Sequence, residues 1–142
     1  MINTIDLSNG GTVLVYNESF EKSRIKELIK IFPQYATELQ NIHDHIYDLM
    51  NVVKAEDSKL KYYNYKMNGS YSIKKLLPIY SDISYADLDV KNGVEAQISY
   101  LQFKTMPYED ILKEREKLLI YCGQDTYSMV EILDGIRKKI EH

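Results

Sequence analysis

The sequence contains few of the residues from which several kinds of functional site are built. Its one cysteine, Cys122, excludes an internal disulfide and a metal site with several thiolate ligands, and it favours a cytoplasmic location. No apolar run approaches the roughly 18 residues of a membrane span, and the N-terminus lacks the basic and apolar regions of a signal peptide. The chain also lacks repeats, a glycine-rich phosphate loop and a Ser/His/Asp set. These absences predict no membrane partner.

What is present is typical of a globular domain. The chain has 142 residues, of which 44% are hydrophobic and 27% charged, so it is expected to form a single domain over residues 1–142. The net charge of −3 disfavours binding to nucleic acid through bulk charge, and a local basic patch remains open.

The best strand candidate is the β-branched and aromatic run Thr12–Tyr16, and its continuous apolarity predicts burial on both faces. No second run of similar quality follows, so the other strands are weak or lie outside this chain. Asn17 ends the strand and is expected to cap the next helix with its side chain. The buried stripe of that helix is formed by Ile25, Leu28, Ile29 and Phe32.

Glu21 precedes Ile25 by four residues and Ile29 by eight, so it lies on the same side of this helix as the buried stripe. The simpler alternative is that Glu21 only favours the positive end of the helix dipole, which contributes about 0.3–1 kcal/mol.

A second helix is predicted over Pro33–Met50. His43 and His45 lie two residues apart and face different ways, so a solvated polar face is favoured over a metal site for this pair. Asp48 falls between the apolar residues Ile46 and Leu49, with no visible partner.

Aromatic and basic residues are interleaved in the middle of the chain. Tyr62, Tyr63, Tyr65 and Lys66 could stack on unpaired bases and meet phosphates, and a tyrosine-rich loop that docks on the core fits equally well. A short helix over Ile73–Leu77, closed by Pro78, a loop over Tyr80–Gly93 and a helix over Val94–Thr105 follow. The last helix is predicted from Tyr108 to the C-terminus, with an apolar stripe formed by Leu118, Cys122, Met129, Leu133, Ile136 and Ile140.

Asp125 lies on this stripe, three residues after Cys122 and four before Met129. A carboxylate on a packing face is costly unless a partner, a hydrogen bond or a metal compensates it. Tyr121 lies four residues earlier and projects from the same side. This pair is the strongest candidate for chemistry in the sequence.

These residues carry a resemblance. Asn17, Phe20 and Glu21 after a strand, and Tyr121 with Asp125 in a helix, resemble the second and third motifs of tyrosine-type DEDD (DnaQ-like) exonucleases. The chain is also similar to the C-terminal half of a bacterial family, domain of unknown function 2779. The matching pieces are Val15-Tyr16-Asn17, Phe20-Glu21-Lys22, Tyr47-Asp48-Leu49, Gly69-Ser70-Tyr71-Ser72-Ile73-Lys74, Leu76-Leu77-Pro78 and Tyr121-Cys122 with Asp125-Thr126.

The resemblance implies a partial ribonuclease H-like fold, helix-rich α/β with one clear buried strand. It implies a metal-dependent 3′–5′ exonuclease that hydrolyses single-stranded DNA or RNA with two Mg²⁺ or Mn²⁺ ions. Glu21 and Asp125 would be metal ligands, Tyr121 would orient the attacking water, and Asn17 and Phe20 would shape the motif.

The first motif of that family, Asp and Glu two residues apart, has no counterpart before Glu21. We therefore expect a C-terminal part of a larger nuclease domain, inactive alone and partnered by the missing N-terminal half or a second copy. The alternative is a non-catalytic helical interaction module.

Overall fold

The structure, a computed structural model, describes residues 1–54 and 64–141. Within these ranges the chain is helix-rich with a small parallel sheet, so the predicted helix-rich α/β class is confirmed. The chain divides into two compact units, Met1–Ser72 and Ile73–His142. Tyr62 and Tyr63 lie outside the described residues.

The first unit has a β-α-α-β order. Its elements are β1 Val13–Val15, α1 Glu18–Ile31, a 3₁₀ turn Pro33–Tyr35, α2 Ala36–Asp44, β2 Ile46–Asp48, α3 Met50–Val53 and a 3₁₀ turn Tyr65–Met67. β1 and β2 pair in parallel, with Val15 opposite Asp48. Its core cluster is formed by Ile25, Leu39, Ile42 and Ile46.

The second strand is where the structure departs most from the sequence prediction. The helix predicted over Pro33–Met50 ends at Asp44, and Ile46–Asp48 is a strand, so that part of the prediction is wrong. The strand at β1 is confirmed, but its three residues are partly buried rather than buried on both faces.

Three helices make up the second unit: α4 Ile73–Tyr80, α5 Gly93–Gln102 and α6 Tyr108–Ile140. α4 continues past Pro78, which was predicted to end it. The Asn92 side chain accepts hydrogen bonds from the Val94 and Glu95 amides and so fixes the start of α5. α6 packs against α4 through Gly135, where an added Cβ would lie 2.3 Å from a Tyr80 ring carbon.

The buried stripe of α6 agrees with the predicted one at Ile136 and otherwise lies one position earlier. Its buried residues are Tyr121, Ser128, Ile132 and Ile136, whereas the predicted Cys122 and Ile140 are exposed. In α5 the buried residue is Ser99, and the apolar side chains of Ile98 and Leu101 are exposed. None of the helices in the described ranges has both the length and the apolar character needed to cross a lipid bilayer.

Candidate functional site

Asp125 is held by a tyrosine that the sequence reading did not single out. Asp125 is partly buried on α6, and its Oδ1 accepts a hydrogen bond of 2.6 Å from the Tyr85 hydroxyl. Tyr85 comes from the loop before α5, and its Oη also lies 3.1 Å from Oγ of the fully buried Ser128. The carboxylate expected on the packing face is therefore compensated by a hydrogen bond.

Tyr121 lies one helical turn before Asp125 and is 7% exposed. Its ring is 6.2 Å from that of Tyr85, centroid to centroid, with the ring planes inclined by 56°. Two phenols therefore flank one carboxylate, and all three groups come from the second unit. The structure adds Tyr85 to Tyr121 and Asp125, and a chemical role for these residues stays a prediction.

Both phenols remain protonated at neutral pH. Burial raises the pKa of Tyr121 far above 10.0, and the hydrogen bond and charge of Asp125 raise it further. Burial, followed by the hydrogen bond to Asp125, raises the pKa of Tyr85 in the same way. A neutral phenol can donate a hydrogen bond and orient a water, but it cannot serve as a general base near pH 7.

In the first unit the carboxyl ends of β1 and β2 form a polar edge centred on Asp48. Asp48 is 3% exposed, and its carboxylate accepts from the amides of Asn17 (3.2 Å), Glu18 (3.0 Å) and Met50 (2.9 Å). Two of these amides, those of Asn17 and Glu18, are at the start of α1, where they have no partner inside the helix, and the third begins α3. Asp48 thus acts as the cap of α1 from a neighbouring strand.

Asn17 was expected to provide that cap, and this prediction is wrong. Its backbone is left-handed, with φ of 81° and ψ of 67°, and its side chain makes no capping hydrogen bond. Instead, Asn17 Oδ1 accepts from the Ser19 hydroxyl at 2.8 Å. Asparagine tolerates this conformation better than most residues, so Asn17 shapes the turn between β1 and α1.

Glu21 lies in the first turn of α1 and is partly buried, on the side the sequence indicated. Burial raises the pKa of its carboxyl above 4.5. Phe20 is 57% exposed, and the Arg24 guanidinium lies 5.5 Å above its ring. Glu21 belongs to the first unit and Asp125 to the second, so their joint role in metal binding stays a prediction.

Tyr65 and Lys66 lie in the 3₁₀ turn Tyr65–Met67, and both are exposed. Stacking on bases would need this exposure. His43 and His45 make separate contacts: His43 Nδ1 lies 2.9 Å from Asp44 Oδ1, and His45 Nδ1 lies 2.8 Å from the Asn41 carbonyl oxygen.

The parts of the chain that the structure describes contain no group of three or more His, Cys, Asp or Glu residues that could hold a metal ion. Asp125 offers hard oxygen donors with a fixed orientation, as a ligand for Mg²⁺ or Mn²⁺ requires. It therefore fits one position of a metal site, and further ligands would be needed to complete it.

Sequence reasoning missed Tyr85, Ser128 and the capping role of Asp48. The Tyr85–Ser128, Tyr85–Asp125 and Asp48–Glu18 contacts join residues that are 43, 40 and 30 positions apart, so no local pattern reports these three contacts. The one available signal is the position of Asp48 and Asp125 among apolar residues. This position indicates that each carboxylate has a hydrogen-bond partner but does not identify the partner.

Comparison with known proteins gives a match to one family model, described as domain of unknown function DUF2779, over residues 1–72. The similarity proposed from the sequence is thus confirmed for the first unit. Nothing in the comparisons supports the likeness to DEDD exonucleases or to a ribonuclease H-like fold. No solved structure matches.

Two curated relatives match most of the chain. "Uncharacterized protein UU173" of Ureaplasma parvum serovar 3 is 30% identical over 146 aligned positions, which cover 90% of this chain and 21% of the relative. "Uncharacterized protein MG366 homolog" of Mycoplasma pneumoniae is 28% identical over 135 aligned positions, which cover 84% of this chain and 19% of the relative. The chain therefore spans about a fifth of the length of these relatives.

Proposed function

The chain belongs to the family of domain of unknown function DUF2779, and from that premise we propose that it supplies part of a metal-dependent 3′–5′ exonuclease site. In this proposal Asp125 is a carboxylate ligand for Mg²⁺ or Mn²⁺, and Tyr121 orients the attacking water. The substrate is the phosphodiester backbone of single-stranded DNA or RNA.

The observation that carries the proposal is the geometry around Asp125. A partly buried carboxylate lies one helical turn after a buried phenol, and a second phenol, Tyr85, fixes its orientation at 2.6 Å. A carboxylate held by a neighbouring hydrogen-bond donor is the usual arrangement of a metal ligand. Burial and Asp125 raise the pKa of Tyr121, so its hydroxyl stays neutral, and with its hydrogen donated to Asp125 its oxygen can accept a hydrogen bond from a water.

Two divalent ions in such a site supply an activated water and stabilise the leaving oxygen. The residues that the structure describes contain no group of three or more His, Cys, Asp or Glu side chains around a metal site, and the proposal assigns no further ligands. We accordingly expect little or no hydrolysis by this chain alone, and metal binding is the primary test.

The test follows paramagnetic broadening of backbone amide NMR signals on addition of Mn²⁺. We expect broadening around Tyr121 and Asp125, lost in Asp125→Asn. The matched control is Asp134→Asn, which removes an exposed carboxylate from the same helix, ion-paired to Arg137, and should leave the broadening unchanged. Broadening that is identical in Asp125→Asn and the wild type would refute the metal-ligand role.

A second candidate function, binding of a protein partner, is favoured by the edge of β1. The Val13 amide donates to the His45 carbonyl at 2.8 Å, and the Leu49 amide donates to the Val15 carbonyl at 2.9 Å. In a parallel ladder alternate residues bond to the same neighbour, so the Leu14 backbone groups point away from β2. Among the described residues no strand pairs with that side.

An open strand edge is a template for pairing with another chain. The simplest partner is a second copy, whose β1 would lie antiparallel across a two-fold axis. Analytical ultracentrifugation should then show a concentration-dependent dimer. A clean monomer at high protein concentration would count against this function and leave the nuclease proposal untouched.

A further inference from the structure

The long helix α6 carries a second apolar stripe, on the side opposite its buried residues. The buried side includes Tyr121, Ser128 and Ile132. On the opposite side five large apolar side chains each have between 47% and 54% of their surface exposed. They are Leu112, Leu119, Ile120, Tyr127 and Val130. An apolar stripe of this length on the solvent side of a helix is typical of a surface that packs against another helix.

The spacing along this side is that of a helix–helix seam. Its positions lie alternately four and three residues apart, which keeps them in line along the helix. All of them are exposed except Leu133, which is partly buried. We call this set the outer seam; it consists of Leu112, Glu116, Leu119, Gly123, Thr126, Val130, Leu133 and Arg137.

The outer seam can face a copy of itself that runs in the opposite direction. Alternation of four and three reads the same from either end, and the seam is centred near the middle of Tyr108–Ile140. A two-fold axis at that point places Leu119 level with Val130 of the second copy. Gly123 then lies level with Thr126 of the second copy. An added Cβ at Gly123 meets nothing within 4 Å, so the two helices can approach closely near the axis.

The side chains that flank the seam are also complementary in this register. Ile120 lies beside Tyr127 of the second copy, and Lys113 lies beside Asp134 of the second copy. Within its own helix each of these two charges has only a long, exposed ion pair, of 3.6 Å for Lys113 and 3.7 Å for Asp134. Such pairs contribute little, so both charges can turn to a second copy.

The two charged residues inside the seam determine the direction of pairing. In a parallel pair Glu116 and Arg137 would each lie level with the same residue of the other copy, and like charges at one level repel. In the antiparallel pair Arg137 lies level with Leu112 of the other copy, one helical turn from both Glu109 and Glu116. Its charge therefore meets two carboxylates instead of a second guanidinium.

We propose that the outer seam of α6 is a self-association surface, through which two copies of the chain pair as antiparallel helices. The surface lies within the second unit, and it includes neither the edge of β1 nor Asp125.

Disulfide cross-linking tests the register directly. Leu119→Cys and Val130→Cys are made separately in the full chain, each in a Cys122→Ser background. In the antiparallel pair two copies of position 119 are about 16 Å apart along the axis, at roughly 1.5 Å per residue, and so are two copies of position 130. Neither variant alone should therefore cross-link under mild oxidation, and a mixture of the two should.

Sedimentation measures the contribution of the seam to dimer affinity. Leu119→Lys should raise the dimer Kd at least about tenfold, because each copy loses apolar burial and gains a charge in the seam. The matched control is Leu101→Lys, since Leu101 is exposed to a similar extent but lies on α5, and it should leave the Kd unchanged. Lys113→Glu should raise the Kd roughly three- to tenfold, and adding Asp134→Lys should restore it.

The proposal is overturned if the wild-type chain is a monomer, which would assign the seam to a different protein. It is also overturned if each cysteine variant cross-links alone, since that is the result of parallel pairing, or if the mixture gives no cross-link. A dimer with the same Kd in Leu119→Lys and Leu101→Lys would be held by another surface, such as the edge of β1. Restoration by the Lys113/Asp134 charge exchange supports the antiparallel register, and a further loss in that double variant contradicts it.

Discussion

The contact between Gly135 and Tyr80 makes a stability prediction whose size can be worked from the structure. A Cβ added at position 135 would lie 2.3 Å from Cδ1, 2.6 Å from Cγ and 2.8 Å from Cβ of Tyr80. Carbon atoms at rest are about 3.5–4.0 Å apart, so the nearest approach is short by about 1.2 Å. Rotation of the ring leaves the Tyr80 Cβ in place. The backbones of α4 and α6 must therefore separate to accept Gly135→Ala.

The same helix provides a matched control at Gly123, where an added Cβ meets nothing within 4 Å. Glycine to alanine in a helix gains about 0.8–1.0 kcal/mol from backbone propensity, and this gain applies at both positions. Overpacking costs about 1–3 kcal/mol, and only Gly135→Ala incurs it. We therefore expect Gly123→Ala to stabilise the chain, and Gly135→Ala to be less stable than Gly123→Ala by about 1–3 kcal/mol.

Urea unfolding at 25 °C, followed by circular dichroism at 222 nm, measures the free energy of unfolding of both variants. If the free energy falls with urea concentration at the same slope in both, the difference between their midpoints reports a difference in stability. Tyr80→Ala removes two of the three close atoms, so the cost of Gly135→Ala should shrink in that background. If the two glycine variants are equally stable, or if Tyr80→Ala has no effect on the difference, then α4 and α6 do not pack through Gly135 as the structure has them.

The remaining predictions concern the first unit. Asp48→Ala should lower the free energy of unfolding by about 2–4 kcal/mol, because three hydrogen bonds from backbone amides to a buried carboxylate are lost. The exposed Asp44→Ala should change it by less than about 0.5 kcal/mol, and a similar loss in both would contradict the capping role. Burial raises the pKa of Glu21 in the folded chain, so ionisation of this carboxyl lowers the stability of the wild type as the pH rises through that pKa. Glu21→Gln cannot ionise, so it should be more stable than the wild type at neutral pH and equally stable below pH 4.5. Stability curves from pH 3 to pH 8 check this, and a gain that is equal at all pH values would refute it.

The helices were largely predictable because their apolar residues recur over several turns. β2 was not, since Ile46–Asp48 has three residues and continues the helical spacing of α2. What makes it a strand is pairing with β1, more than 30 residues earlier, and this is a tertiary contact with no local signal. For the same reason the sequence shows Asp48 as an acid among apolar residues but does not reveal its partners at the start of α1.

The stripe of α6 shows a second limit of sequence patterns. A helix with 3.6 residues per turn allows adjacent stripes, and both the predicted one and the observed one contain apolar residues. The observed stripe includes Ser128, which no hydrophobic pattern would select, because Tyr85 supplies its hydrogen-bond partner. The position of Asp125 on the packing face was predicted, and the reason it is tolerated there was not.

Asp48 is buried and Asp125 is partly buried, and the two carboxylates differ in whether their hydrogen-bond partners can be exchanged, which bears on the proposed metal site. Asp48 is held by three backbone amides, two of them at the start of α1, so a metal ion could displace them only by disrupting the helix. Asp125 is held by Tyr85, whose hydroxyl can rotate about a single bond to a new acceptor. Its bond can therefore be kept or released without unfolding α6. Ligand binding is thus compatible with Asp125 and not with Asp48, even though Asp48 is the more deeply buried of the two.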